Sequence, residues 1–183
     1  MGKRSNWKRK KRDLYHTPPE ALTPVLRFLD PRTKFVEPCA GKAKLILGME
    51  AHGHKCVEAY DIKPLKNNWR GIIRQCDVLD GDWKPKKSHD IIFTNPPWKR
   101  SILHPMIELF SDISPTWLLF DSNWANTLQS MQFASRLRAI VVVGRVRWFG
   151  GSGGMEDSSF FLFDRPKKNN VTKFYLPSGS LYR

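Results

Sequence analysis

The string whose residue types speak most directly of chemistry is Phe93-Thr94-Asn95-Pro96-Pro97-Trp98, where two prolines follow at once on an apolar run. Each proline fixes its φ and lacks an N–H, so the turn ends a strand and presents acceptors in place of donors. The carboxamide oxygen of Asn95 and the carbonyl of Pro96 can both accept from one planar NH₂ group, and Trp98 offers a ring face for stacking. An aromatic amine is a poor nucleophile because its lone pair is delocalised into the ring. Two acceptors drawing on its hydrogens favour a tetrahedral nitrogen whose lone pair can attack. The bland alternative, a tight Pro-Pro turn beside a core tryptophan, loses weight once three other strand ends are read with it.

The first of these is Glu37-Pro38-Cys39-Ala40-Gly41-Lys42-Ala43, a strand-to-helix turn in which Gly41 allows close backbone approach to a ligand. The second is Asp61-Ile62, about 20 residues after that glycine, where dinucleotide-binding logic places an acid for ribose hydroxyls. The third is Cys76-Asp77-Val78, with an acid positioned to accept from an adenine amino group. A full G-x-G-x-x-G is missing, so a nucleoside ligand without a pyrophosphate fits better than a nicotinamide dinucleotide. The Gly41-Lys42 pair also lacks the earlier glycine and the Ser/Thr of a triphosphate-cradling loop. His52, His54 and Cys56 alternate as metal ligands can, but Gly53 marks a surface turn, and no metal is predicted. No Ser-His or Cys-His nucleophile pattern stands out.

The elements that must carry these turns are short, nearly continuous apolar runs separated by helical spacing. Strands are predicted at 34–37, 55–60, 72–76, 90–94, 117–121 and 139–143, with late strands at 147–149 and 158–163 around the glycine run Gly150 to Gly154. Helices are predicted at 44–52, 105–111 and 125–136. Continuous apolar strands are those covered on both faces, and their alternation with helices predicts a doubly wound α/β fold with a mostly parallel sheet. In such sheets ligands bind at the carboxyl ends of the strands, where all four turns lie.

Composition limits what the ligand and the partner can be. The 183 residues suit one domain, here 13–183 behind a basic arm at 1–12, and 40% hydrophobic residues with eleven Phe and seven Trp supply a core. Lys and Arg number 31 against 17 Asp and Glu, a formal charge of +14 that points to a polyanionic partner. Half of that excess lies before Asp13, and Lys8, Arg9, Lys10, Lys11 and Arg12 are expected to follow a phosphate backbone. Three cysteines without a C-x-x-C support neither a disulfide framework nor a zinc finger, and a reduced, cytoplasmic setting is expected. No apolar run approaches the roughly 18 residues of a membrane span, so no membrane partner is expected.

The order of Tyr15-His16-Thr17-Pro18-Pro19, Glu37-Pro38-Cys39-Ala40-Gly41, Asp61, Asp77 and Asn95-Pro96-Pro97-Trp98 resembles the class I S-adenosylmethionine-dependent methyltransferases. More narrowly it resembles the amino-methylating adenine enzymes, marked by Asn/Asp-Pro-Pro-aromatic. The resemblance implies a Rossmann-like seven-stranded sheet of order 3-2-1-4-5-7-6 with strand 7 antiparallel and helices on both faces. It assigns S-adenosylmethionine to Tyr15, Thr17 and Pro18, to Glu37, Pro38, Cys39, Ala40 and Gly41 at the methionine end, to Asp61 and Ile62 at the ribose, and to Asp77 and Val78 at the adenine. Catalysis falls to Asn95, Pro96, Pro97 and Trp98, and Phe149 matches an aromatic that helps sandwich the target base. Ala43 stands where the family's second glycine is usual, behind Lys42, and alanine is small enough that binding is expected to survive. Only Asp164 to Arg183 follow the matching part, so selectivity is expected to be low or set by loops and the arm.

The resulting expectation is methyl transfer to the exocyclic amine of adenine in DNA. The base is single-stranded or flipped out, and attack is direct, with no covalent enzyme intermediate and no metal. An RNA adenine methyltransferase is the alternative within the same chemistry. A protein glutamine methyltransferase shares Asn-Pro-Pro-aromatic but not the need for so basic an arm. A catalytically silent nucleic-acid-binding protein with this fold is the alternative of another class.

Overall fold

The computed structural model describes residues 15–81, 83–148 and 155–176. The arm residues Lys8 to Arg12 and Phe149 lie outside them. Eight strands form one sheet: β1 (Lys34–Glu37), β2 (Lys55–Asp61), β3 (Ile73–Gln75), β4 (Ile91–Thr94), β5 (Thr116–Asp121), β6 (Leu137–Arg147), β7 (Met155–Phe163) and β8 (Lys173–Tyr175). Their order is β3-β2-β1-β4-β5-β7-β6-β8. β7 runs antiparallel to β5 and β6, and the other pairings are parallel. The order 3-2-1-4-5-7-6 is therefore present, with one strand more than the seven expected. β8 adds in parallel to the outer edge of β6, a strand too short and too polar in its surroundings to stand out in sequence.

Side-chain alternation along the central strands explains their continuous apolar sequence. Phe35, Phe93, Trp117 and Leu119 point to one layer, where they meet α1 (Thr23–Leu26) and α2 (Lys44–Ala51) through Leu22, Val25, Ile46 and Met49. Val36, Ile92, Leu118 and Phe120 point to the other, against Leu103, Ile107 and Phe110 of α3 (Arg100–Ile113). Both faces of the sheet are thus covered, which is why neither position of the two-residue repeat is polar.

Three elements differ from the sequence expectation. The helix expected at 125–136 is a pair of 3-10 turns, Ser122–Asn126 and Leu128–Phe133, joined at an extended Thr127. Short polar side chains capture the backbone there: Thr127 Oγ1 donates to the Trp124 carbonyl at 2.8 Å, and Ser130 Oγ to those of Thr127 and Ala125 at 2.7 and 3.1 Å. The helix expected at 105–111 extends to both sides with Pro105 inside it. The strand expected at 139–143 runs from Leu137 to Arg147, so of the late strand expected at 147–149 Arg147 belongs to it, Trp148 lies beyond it and Phe149 is outside the described residues. Its pairing slips between Val142 and Gly144, where Gly144 has φ 90°.

Among the described residues no helix joins β2 to β3 or β3 to β4. Glu58 of β2, 3% exposed, does the fastening there. It accepts from Arg74 Nη1 of β3 at 2.9 Å, from the Tyr60 hydroxyl at 3.1 Å and from the Lys86 amide at 2.7 Å. These bonds hold its carboxyl below the usual range despite its burial, so it is ionised at neutral pH.

Candidate active site

The carboxyl ends of β1, β2, β3 and β4 open into a cleft of about 240 Å³. From the segment before α1, Tyr15, His16 and Thr17 form one wall. The β1 turn contributes Glu37 to Lys42, the second strand end Asp61 and Ile62, the third Cys76 to Leu79, and the fourth Asn95 and Pro97. Of the residues assigned to a cofactor, Pro18 alone does not line this cleft. Pro96 and Trp98 are not in its wall either: Pro96 is buried, and half-buried Trp98 packs beside both core layers.

Glu37 is the most unusual group in the cleft. It is 1% exposed, and burial pushes its carboxyl from an ordinary 4.5 to about 8, with Asp61 adding a smaller upward push. Its Oε1 accepts the Cys39 amide at 2.9 Å and a short hydrogen bond from Thr94 Oγ1 of β4. The β1 and β4 turns are thereby locked together, and the second oxygen is left for a ligand. Burial and the neighbouring Glu37 push the Cys39 thiol up, away from nucleophilic thiolate character.

Asp61 ties the second strand end to the first, since Oδ2 accepts the Gly41 amide at 2.8 Å and Oδ1 the Lys63 amide at 2.7 Å. Each carboxylate oxygen keeps acceptor capacity for a further donor. Gly41 has φ 50° and Ala43 φ 57°, so the turn makes two left-handed residues. Ala43 adopts the conformation that a glycine would take there, which leaves the departure at this position without an effect on the path of the turn. Asp77, exposed, accepts the Leu79 amide at 3.0 Å.

Asn95 is oriented from two sides. Its Nδ2 donates to the Tyr15 carbonyl at 3.3 Å and to Thr17 Oγ1 at 3.2 Å, and its Oδ1 accepts from Trp98 Nε1 at 3.1 Å. Trp98 is braced edge-on against Trp148, with ring centroids 5.3 Å apart, and Tyr15 leans on Trp148 from 6.3 Å. Trp148 is buried with its indole N–H unpaired. Sequence reasoning missed this core tryptophan, and it missed Lys42, Lys63 and the α3 residues Ile102 and Met106, which line the cleft. The α3 pair was within reach, because an amphipathic helix starting directly after Asn95-Pro96-Pro97-Trp98 must turn its first apolar side chains toward that corner. Among the described residues no three His, Cys, Asp or Glu side chains gather as metal ligands, and no helix is long and apolar enough to cross a membrane.

No protein-family model matches the sequence, and no curated protein matches it. Solved structures do match. One is a Pyrococcus horikoshii protein assigned as an RNA methyltransferase, 14% identical, covering 89% of this chain and 91% of its own, with TM-score 0.57. Another is the methyltransferase subunit of a type I restriction-modification system from Streptococcus thermophilus, 11% identical, covering 88% of this chain and 47% of its own, with TM-score 0.55. A third is a SAM-dependent O-methyltransferase from Thermotoga maritima, 12% identical, covering 82% and 66%, with TM-score 0.51. The chain has the Rossmann-like class I methyltransferase fold.

The acceptors in the cleft fit the cofactor that this fold implies. Carboxyl groups at the ends of β1, β2 and β3 ask for a ligand rich in donors, and S-adenosylmethionine carries an ammonium, a ribose diol and an adenine amine. Thr17, Asn95 and the Tyr15 carbonyl, at the opposite wall, join the segment before α1 to the fourth strand end.

Proposed function

We propose that the protein transfers a methyl group from S-adenosylmethionine to the exocyclic amine of adenine in DNA. The observation that carries this reading is the Asn95 carboxamide, fixed by Tyr15 and Thr17 at the mouth of an acid-lined cleft. In this reading Glu37 holds the methionine ammonium, Asp61 the ribose, and Asp77 with Val78 the adenine of the cofactor. Tyr15 and Thr17 wall it in from the segment before α1, and Pro18, outside the cleft wall, leaves that set. The bound cofactor supplies a methyl group made electrophilic by its sulfonium.

The chain's own work is positioning. Asn95 Oδ1 has a second lone pair beside the one given to Trp98, and it accepts one hydrogen of the target amine. The Pro96 carbonyl accepts the other, a role left open by the missing N–H groups of Pro96 and Pro97. Trp98 and Phe149 receive the flipped base. Base-aromatic stacking is worth roughly 1–3 kcal/mol per base, comparable to the few kcal/mol that flipping costs. These contacts would hold the amine facing the methyl group that the bound cofactor would supply, and proximity would provide most of the acceleration. Its proton leaves to water after attack, so no general base is needed; the raised Cys39 thiol is unsuited to that role in any case.

The charge of +14 favours nucleic acid over a protein amide as substrate. The test is incubation with donor labelled in the methyl group and, in parallel, DNA, RNA and protein, followed by nucleoside analysis. Label is expected in N6-methyladenine from DNA. Label confined to RNA transfers the reading to the RNA alternative, and label in none of the three while the cofactor binds refutes methyl transfer.

A further inference from the structure

The segment that leaves the sheet after β5 carries two large apolar side chains in the open. Leu128 is 85% and Met131 68% exposed, whereas Trp124 and Phe133 on the same segment are 2% and 1% exposed. Loose apolar residues are common on surfaces, but these two stand on a turn that is fixed from below. Trp124 and Phe133 plug the core under it, His104 Nε2 receives the Trp124 indole N–H at 3.1 Å, and Ser130 bonds back to two carbonyls. Arg100 Nη1 donates to Gln129 Oε1 at 2.6 Å, which fastens the tip to the first turn of α3. That helix begins two residues after Trp98 and lines the cleft with Ile102 and Met106. The tip is thereby tied to the start of the helix that follows the Asn95-Pro96-Pro97-Trp98 corner and whose Ile102 and Met106 line the cleft.

The chemistry of the tip is specific. From Ser122 to Ser135 there is no charged side chain, in a protein where about one residue in four is charged. What it presents between Leu128 and Met131 are amides, Gln129 and, just outside, Gln132 and Asn126. Lys99 and Arg100 border it with positive charge. Amides and apolar groups meet base edges and faces, whereas lysine and arginine meet phosphates. Apolar side chains of this size are those that proteins insert between base steps to unstack them.

We propose that Leu128 and Met131 form a wedge that enters a DNA duplex beside the target base and holds the gap open while the base occupies the cleft. The inference rests on the nucleic-acid reading above and adds to it how a duplex is opened by a chain of this size. Charge complementarity selects the occupant, because the uncharged tip is held by the Arg100 cation in a chain of formal charge +14, which draws a phosphate backbone to it.

The test compares native DNA with the same DNA denatured by heat, using methyl-labelled donor and the variant Leu128→Ala/Met131→Ala. Both side chains are exposed, so the melting temperature of the variant should match that of the wild type. Its kcat/KM should fall tenfold or more on native DNA and less than twofold on denatured DNA, which has no stack to open. Leu128→Ile/Met131→Leu should restore the rate on native DNA. An equal loss on both forms, or no loss on either, overturns the wedge. A wild-type protein that methylates neither form fails the nucleic-acid reading itself and takes the wedge with it. A wild type active on both with a variant unchanged in ratio fails the wedge alone.

Discussion

Replacing Glu37 by glutamine keeps the shape of the side chain and an oxygen for the Cys39 amide and the Thr94 hydroxyl, but leaves no proton to lose. In the protein without cofactor the Glu37 carboxyl sits at about 8 against an ordinary 4.5, with burial the main cause. The folded state thus binds one more proton than the unfolded state between those two values. Below pH 4.5 both states hold that proton, above 8 neither does, and in between each pH unit removes about 1.4 kcal/mol of stability as pH rises. Across the window this amounts to roughly 5 kcal/mol, a large share of the 5–15 kcal/mol typical of a domain. Chemical denaturation of wild type and Glu37→Gln from pH 4.5 to 8.5 isolates this group, because every other titration is common to both. The difference in stability should tilt toward the variant as pH rises. A cationic ligand should reverse the preference, since it favours the carboxylate. Wild type should release close to one proton on binding S-adenosylmethionine at pH 7, measured by calorimetry in buffers of different ionisation enthalpy, and the variant none. Parallel pH profiles for the two proteins would refute the burial of an uncharged Glu37, and equal proton release by the two on binding would refute its pairing with the cofactor.

Asn95→Ala should lower methyl transfer by at least a thousandfold while S-adenosylmethionine still binds within a few-fold of wild type; near-normal turnover would remove Asn95 from catalysis. Ala43→Gly should change stability by less than about 1 kcal/mol, because relief of the left-handed backbone offsets the buried methyl. Ala59→Gly, in a buried strand position with no such relief, should cost about 1.5 kcal/mol, and equal costs in denaturant titration would contradict the strain at Ala43. Deleting residues 2–12 should weaken DNA binding and flatten the dependence of affinity on salt; an unaltered slope in fluorescence titrations would show that the arm makes no phosphate contacts.

The sheet was legible because its central strands are buried on both faces, so Ile91 to Phe93 and Trp117 to Phe120 announce themselves as continuous apolar runs. The corner at Asn95 was legible for another reason: two prolines and an asparagine constrain backbone and acceptors locally, without help from the fold. What depends on distant partners was not. Nothing in the order of residues pairs Thr94 with Glu37 or Tyr15 with Asn95, 57 and 80 positions apart. The 3-10 turns defeated helical periodicity because serine and threonine side chains took the carbonyls that a helix would have used. β8 escaped notice because its three residues, Lys173, Phe174 and Tyr175, stay largely outside the core.

The fastening of the β3 side by one carboxylate gives the molecule an uneven grain. At the edge strand β3, whose three residues are exposed or half-buried, Glu58 supplies the fastening, whereas β4, β5 and β7 are sealed on both faces. Regions with sparse burial open locally long before the whole chain unfolds. The rim carrying Asp61 and Asp77 is therefore the yielding jaw of the cleft and the corner at Asn95 the fixed one. In the proposed reaction a nucleoside would enter and leave at that rim, with the corner at Asn95 undisturbed.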